Sequence, residues 1–165
     1  LMMVIKTPER EAYMAFTDPL VKDRWLFYYR ANRESPIEWE KYEDLKPYKI
    51  GITAGYAYGD EFLNAVKRLS LKIDEVKSDL NNFKKLLAGR TDTFICLENV
   101  ANKTIRMNPE LRGKFKTAGK PLWELEMHMT LSKKSPAVTL LPEINEVLRQ
   151  MKKDGSMDKI LGRIK

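Results

Sequence analysis

Arg10 closes the segment Thr7-Pro8-Glu9-Arg10, in which the threonine can cap a short helix and the proline occupies its first position. That setting holds a guanidinium fork in one direction, and a directed fork is what bidentate capture of a carboxylate requires. A surface arginine on a turn is the competing reading, because exposure is the usual state of arginine. A second anion-friendly feature is Gly55-Tyr56-Ala57, inside the glycine-rich stretch "AGYAYGD" (54–60). Strand, glycine turn and helix in that order aim backbone N–H groups and a positive helix end at an anion. A plain strand–helix connection would use the same residues. Glu98 follows the apolar run "TDTFICL" (91–97), where an acid can cap the helix that comes next.

Little else in the chain points to chemistry. Cys96 is the only cysteine, which excludes an internal disulfide, and its apolar surroundings predict an inert buried thiol. One cysteine and one histidine supply no metal-ligand cluster. His128 stands in the alternating run "ELEMHMTLS", a strand pattern in which a structural histidine is the expectation. No catalytic residue, metal site or cofactor is assigned.

The elements that must position these residues follow from periodicity. The run "RWLFYYR" (24–30) is rich in strand formers, and 31–47 is a polar connection with at most a short helix. Tyr48–Thr53 alternates as a strand, and Phe62, Leu63, Val66 and Leu69 repeat at helical spacing behind the glycine turn. A strand at 72–78 leads to a helix at 79–89, capped by Asp79, with Leu80, Phe83, Leu86 and Leu87 inside and Gly89 just past its end. Residues 91–97 form a strand and "ENVANKTIRMN" a helix, while 114–132 supplies one or two more strands. Ser135-Pro136 opens the first of two terminal helices, which are separated at Gly155. Strands alternating with helices predict an α/β fold with a mainly parallel sheet and a ligand at the carboxyl edge of its strands.

A chain of 165 residues is one domain or two small lobes, and 43% apolar with 32% charged residues reads as globular. The densest apolar stretch, "RWLFYYRA", is far short of the ~18 residues that a transmembrane helix needs. A net charge of +7 raises the question of a nucleic-acid partner. Lysines and arginines are interleaved with acids from Lys6 to Lys165, without a run of five like charges, so solubilising charge is the expectation and no nucleic acid is assigned.

Five stretches in order, "TPEREAYMAFTDP", "YEDLKPYKIGITAGYAYGDEF", "FKKLLAGRTDTFICLENVA", "MHMTLSKKSP" and "LLPEINEVLRQMKKDGSMDKI", resemble the bacterial extracellular solute-binding proteins of family 3, the amino-acid-binding receptors of ABC importers. Lys46-Pro47-Tyr48-Lys49 departs from the phrase usual in the second stretch, which marks a divergent member. The resemblance implies a periplasmic-binding-protein-like type II fold with one complete lobe, 30–131, and a partial discontinuous lobe, 1–29 with 132–165. It implies that a further segment of the first lobe precedes the threonine turn in complete members. Apolar surface left by its absence leads to an expectation of self-association as a dimer.

The same resemblance assigns roles. Arg10 matches the family's carboxylate-binding arginine, Thr7 lines its turn, and Gly55, Tyr56 and Ala57 match the turn that donates N–H groups to the same carboxylate. Glu98 falls, after a one-residue shift, near the acid that takes an α-ammonium. Met3 and Ile5 occupy positions where only main-chain groups could serve. The implied function is a receptor for a polar amino acid or similar small carboxylate, which closes a hinge on it and delivers it to an ABC importer permease. The localisation implied is periplasmic or extracellular, no signal peptide being recognisable from Leu1 onward. The sensing domain of a signalling receptor is the alternative. A relative of the dehydratase-like enzymes of this fold would need a catalytic acid or base in the cleft, which His128 does not supply.

Overall fold

The computed structural model describes residues 4–160. Along the chain these form β1 (Val4–Ile5), the short helix α1 (Pro8–Glu11), β2 (Met14–Phe16) and the long strand β3 (Val21–Arg30). After a 3-10 turn at Tyr42–Leu45 come β4 (Lys49–Thr53), α2 (Asp60–Leu69), β5 (Lys72–Val76), α3 (Asp79–Leu87), β6 (Thr93–Leu97) and α4 (Glu98–Met107). The return is made by β7 (Phe115–Thr117), β8 (Trp123–His128) and β9 (Thr130–Ser132), followed by α5 (Leu141–Lys153) and α6 (Ser156–Ile160). Two compact units result: unit 1, residues 1–22 with 125–165, and unit 2, Asp23–Glu124. The changeovers lie inside β3 and β8, where the sequence reading placed them at 30 and 131.

In unit 2, β4 pairs in parallel with both β5 and β6, whereas β3 pairs antiparallel with β6 and β7. The sheet is therefore mixed rather than mainly parallel. Helical crossovers α2 and α3 enforce the parallel pairs, but no helix joins β3 to β4, so that strand is free to run the other way. The second half of β3, from Trp25 to Tyr29, is buried on both faces, as befits a strand with neighbours on either side. One core layer joins Leu26, Tyr28, Phe94 and Cys96 of the sheet to Phe83 and Leu86 of α3, with Ala101 and Leu111. Cys96 is fully buried and burial pushes its thiol up, which makes it the inert thiol that its sequence context predicted.

Three local expectations shift in this unit. Leu63 and Leu87 are exposed, because the buried stripes run through Phe62 and Ala65 on α2 and through Phe83 and Leu86 on α3. Ser78, not Asp79, caps α3 by accepting from the Asn81 N–H at 3.3 Å. Asp79 instead turns inward, toward β4.

In unit 1, β1 pairs antiparallel with β8 and β2 with β9. The 114–132 segment thus yields three strands, β7, β8 and β9, where one or two were expected. Leu20, Val21, Leu148 and Met157 form its core, with Met127, Met129, Ile144 and Met151 around them. His128 is buried there with Nδ1 2.8 Å from the Thr17 carbonyl oxygen, which can only accept, so the ring donates from Nδ1. Its edge-to-face contact with Phe16, 5.7 Å between centroids, completes a structural setting. Ser135 caps a 3-10 turn, Pro136–Leu140, that runs into α5, and Gly155 takes φ +78° between α5 and α6. The last residues of the second terminal helix predicted from sequence lie outside the described residues.

Candidate functional site

Unit 1 carries the arginine turn. Thr7 is extended (φ −137°, ψ 153°) and its Oγ1 accepts from the Arg10 N–H at 3.4 Å, with Pro8 in the first helical turn. The same hydroxyl, together with the Glu9 backbone N–H, holds the Glu9 carboxyl below its usual range, the backbone contribution being the larger. Arg10 Nη1 donates to the Ile5 carbonyl oxygen at 2.8 Å, which anchors one arm of the fork to β1. Among the described residues Arg10 has no ion pair, and Nη1 to Ile5 is its side-chain hydrogen bond there. Ile5 therefore does offer a main-chain group at this turn, but its carbonyl serves Arg10. Met3 lies outside the described residues.

Unit 2 gathers the other candidates at one edge of its sheet. Because β4 and β6 are parallel, Thr53 and Leu97 end at the same edge, and antiparallel β3 starts there, with Trp25 opposite Leu97. The glycine turn leaves β4 at this edge. Gly55 adopts φ +79°, a conformation that glycine takes without steric cost, and Tyr56 and Ala57 after it are exposed. The Tyr56 N–H goes back to the Thr53 carbonyl at 3.4 Å, while those of Gly55 and Ala57 have no acceptor among the described residues. The helix that follows starts only at Asp60 and carries Asp60 and Glu61 in its first turn. Its positive end is thus compensated from within the chain, and the N–H groups of the turn are what remains for an anion.

A buried network fixes this turn. The Tyr56 hydroxyl donates to Asp79 Oδ2 at 2.8 Å, and the Thr53 hydroxyl to Asp79 Oδ1 at 2.8 Å. Asn82 Nδ2 donates to Thr53 Oγ1 at 2.9 Å, and the Tyr58 hydroxyl accepts from the Thr53 N–H at 2.7 Å. The Tyr56 ring leans edge-on to Trp25, 5.7 Å between centroids. Burial first, then Asp79, push the Tyr56 hydroxyl up to about 12, so it remains a donor at neutral pH. Sequence reasoning missed Asp79 in this role, since an acid at a helix start reads as a cap.

Glu98, at the same edge, opens α4 without capping it. Asp23 does the capping: its Oδ1 accepts from the Asn99 N–H at 3.2 Å and from the Arg24 N–H at 2.9 Å. The Glu98 carboxylate is held by Arg24, with Nη2 to Oε1 at 2.7 Å and Nε to Oε2 at 3.0 Å, and it raises the affinity of Arg24 for its proton. Thr7 and Arg10 thus belong to unit 1, whereas Gly55, Tyr56, Ala57 and Glu98 share one sheet edge of unit 2. No group of three His, Cys, Asp or Glu side chains that could hold a metal ion occurs among the described residues.

The sequence model of the bacterial extracellular solute-binding proteins, family 3, matches residues 2–163. The chain belongs to this family. A comparison with curated proteins finds no match. Among solved structures, substrate-binding domain 2 of GlnP from Lactococcus lactis, in an open conformation, is 19% identical with a TM-score of 0.74, and the match covers 96% of this chain and 65% of that one. The L-cystine solute receptor of Neisseria gonorrhoeae, unliganded and open, is 16% identical with a TM-score of 0.71, over 95% of this chain and 62% of that one. Holo ArgBP of T. maritima is 23% identical with a TM-score of 0.58, over 90% and 61%. At these identities the likeness shows the fold, type II periplasmic-binding-protein-like, with one complete lobe and part of the discontinuous one. The chain spans less than two thirds of the length of these family-like structures. The family and these neighbours are binding proteins, and no helix among the described residues is long and apolar enough to cross a membrane.

Proposed function

We propose that the chain is the binding module of a periplasmic or extracellular receptor for a polar amino acid or similar small carboxylate, delivered to an ABC importer permease by hinge closure. The observation that carries this reading is Arg10: a guanidinium tethered to the Ile5 carbonyl and aimed by a capped turn, yet without an ion pair among the described residues. Thr7 holds that turn, and on unit 2 Gly55, Tyr56 and Ala57 offer N–H donors and a polar rim suited to a carboxylate. Glu98, which Arg24 holds through both oxygens, is the acid that the same reading assigns to an ammonium. Support comes from neighbours whose names specify arginine, L-cystine and cationic amino acids, and from one described as part of an amino acid ABC transporter.

The test is a thermal-shift screen of the common amino acids and small carboxylates, repeated with Arg10→Ala. A ligand that raises the melting temperature of the parent is expected to bind the variant about 10–100-fold more weakly, the cost of one charge-assisted fork. A ligand bound equally by both would sink the assignment of Arg10, and silence from the whole panel would sink the receptor.

Self-association forms part of the same proposal. Unit 1 leaves the side chains of Tyr13, Leu140, Val147 and Ile160 at 46–71% exposure, and the proposal is that a second copy covers them. Light scattering at rising concentration is expected to move from the 19.3 kDa of one chain toward twice that mass. A constant monomer mass up to high concentration argues against it.

A further inference from the structure

The sheet of unit 2 has a second edge, where β3 ends at Arg30, β4 starts at Lys49 and β6 starts at Thr93, away from Gly55 and Glu98. There the Arg33 N–H returns to the Arg30 carbonyl at 3.1 Å and closes a four-residue turn, which sets two arginines near each other. Arg30, Asn32, Arg33, Glu34 and Ser35 line a cavity of about 360 Å³ at this turn. Arg30 is half-buried against the backbone that follows α3, its Nη1 3.0 Å from the point where a Cβ on Gly89 would stand. The last carbonyls of α3 do not consume it, since those of Lys84, Lys85 and Leu86 already accept from the N–H groups of Ala88, Arg90 and Gly89. Arg30 makes no ion pair and no side-chain hydrogen bond among the described residues. Arg33 lies over the Tyr48 ring, 5.4 Å from its centroid, and reaches Asp92 only at 3.5 Å through Nη1. Its Nε–H is buried without an acceptor among the described residues.

The local charge is positive. Arg90 follows Gly89, and the Lys114 carbonyl accepts from the Ala31 N–H at 2.8 Å, so two further exposed cations adjoin the turn. Against Arg30, Arg33, Arg90 and Lys114 stand two acids, Glu34 and Asp92, and Asp92 also accepts from the Lys49 N–H at 2.8 Å. The Lys49 ammonium pairs with Asp74 and adds nothing to this balance. The lining residues supply two guanidinium groups, the Asn32 amide and the Ser35 hydroxyl, donors enough for the three or four oxygens of a phosphate and more than a carboxylate can take up. A planar fork on Arg30 suits the same group. We propose that this cavity binds a phosphate group, carried by a soluble phosphate or by a lipid headgroup, with Arg30 and Arg33 as its principal donors.

Nitrogen–proton correlation spectra of the whole labelled chain test this, with inorganic phosphate as the probe and chloride at matched ionic strength as the control. Phosphate is expected to move the Nε–H signals of Arg30 and Arg33 and the backbone signals of Asn32 and Ser35 saturably, and chloride to leave them in place. Arg30→Gln weakens phosphate binding about 10–100-fold, whereas Arg30→Lys, which keeps the charge without the fork, recovers part of it. Glu34→Gln strengthens binding severalfold by removing the acid that lines the cavity, a gain that a damaged fold would not produce. Vesicles of phosphatidylglycerol and phosphatidylcholine in equal parts then distinguish the source. If they sediment the parent but not Arg30→Gln, the phosphate belongs to a lipid; if they leave the parent in solution while inorganic phosphate binds, it belongs to a soluble molecule. The proposal falls if neither probe binds, if chloride moves the signals as phosphate does, or if Arg30→Gln and Glu34→Gln leave the affinity unchanged. It falls equally if poly-glutamate moves these signals and phosphate does not, which would make the turn a contact for an acidic protein surface.

Discussion

Gly51→Ala is expected to cost about 3 kcal/mol, at the upper end of what overpacking a core by one methyl does. Gly51 is buried in β4 with an ordinary strand backbone, so the cost is steric and not conformational. A methyl group there would lie 2.6 Å from Asn82 Oδ1 and 2.8 Å from Phe94 Cβ. Neither neighbour can yield by swinging a flexible tip. Phe94 stands opposite Gly51 in the β4–β6 pairing, and a Cβ moves only with its backbone. Asn82 is fully buried on α3 and tied to the Thr53 hydroxyl. Helix and sheet must therefore separate, or the Asn82–Thr53 hydrogen bond must break. The gain in strand propensity over glycine, about 0.5–1 kcal/mol, offsets only part of this. For a chain of this size ~3 kcal/mol corresponds to a melting temperature roughly 6–12 °C lower. Gly119→Ala is the control, since a methyl there meets nothing within 4 Å. Urea denaturation that places Gly51→Ala within 1 kcal/mol of the parent would show that α3 and β4 are not packed this closely.

The role of Gly51 was not legible in the sequence, and the reason generalises. Elements defined by residues a few positions apart could be read directly: β4 by its alternation, α2 by its helical spacing, the end of α3 by Gly89 with its φ of +67°. Properties that depend on a distant partner could not. Asp79 satisfies the local rule for a helix cap, but Thr53 and Tyr56, more than twenty residues earlier, draw it inward and leave the cap to Ser78. Glu98 reads as a free acid until Arg24, on a strand 74 residues earlier, is placed beside it. The direction of β3 belongs to the same class, because nothing in "RWLFYYR" states which way its neighbour runs. The candidate site followed this division. Arg10 with its capping threonine and the glycine turn were found from local pattern, whereas the groups that hold or neutralise them were not.

Asp79→Ala carries the second large effect, a loss of about 3 kcal/mol, and it connects the core of unit 2 to the turn proposed to meet the ligand. Two hydroxyls, of Thr53 and Tyr56, donate to this buried carboxylate at 2.8 Å each. A hydrogen bond to a charged group is worth roughly 1.5–3 kcal/mol, and alanine leaves both donors without an acceptor while opening a small void. Asp79→Asn should cost only about 1 kcal/mol, because the amide oxygen still accepts from one hydroxyl and the amide N–H can donate to the other, which rotates to receive it. The separation between the two variants distinguishes a hydrogen-bond role from mere packing. A double-mutant cycle with Tyr56→Phe isolates the arm that reaches the turn, and a coupling of about 1.5 kcal/mol is expected. A coupling near zero would mean that the Tyr56 hydroxyl is not held by Asp79 in solution. If the coupling is present, Asp79→Ala frees the one side chain that ties Gly55–Ala57 to the core. The turn then spends part of its time with its N–H groups misdirected, and ligand affinity should fall in proportion to that fraction even though Asp79 touches no ligand.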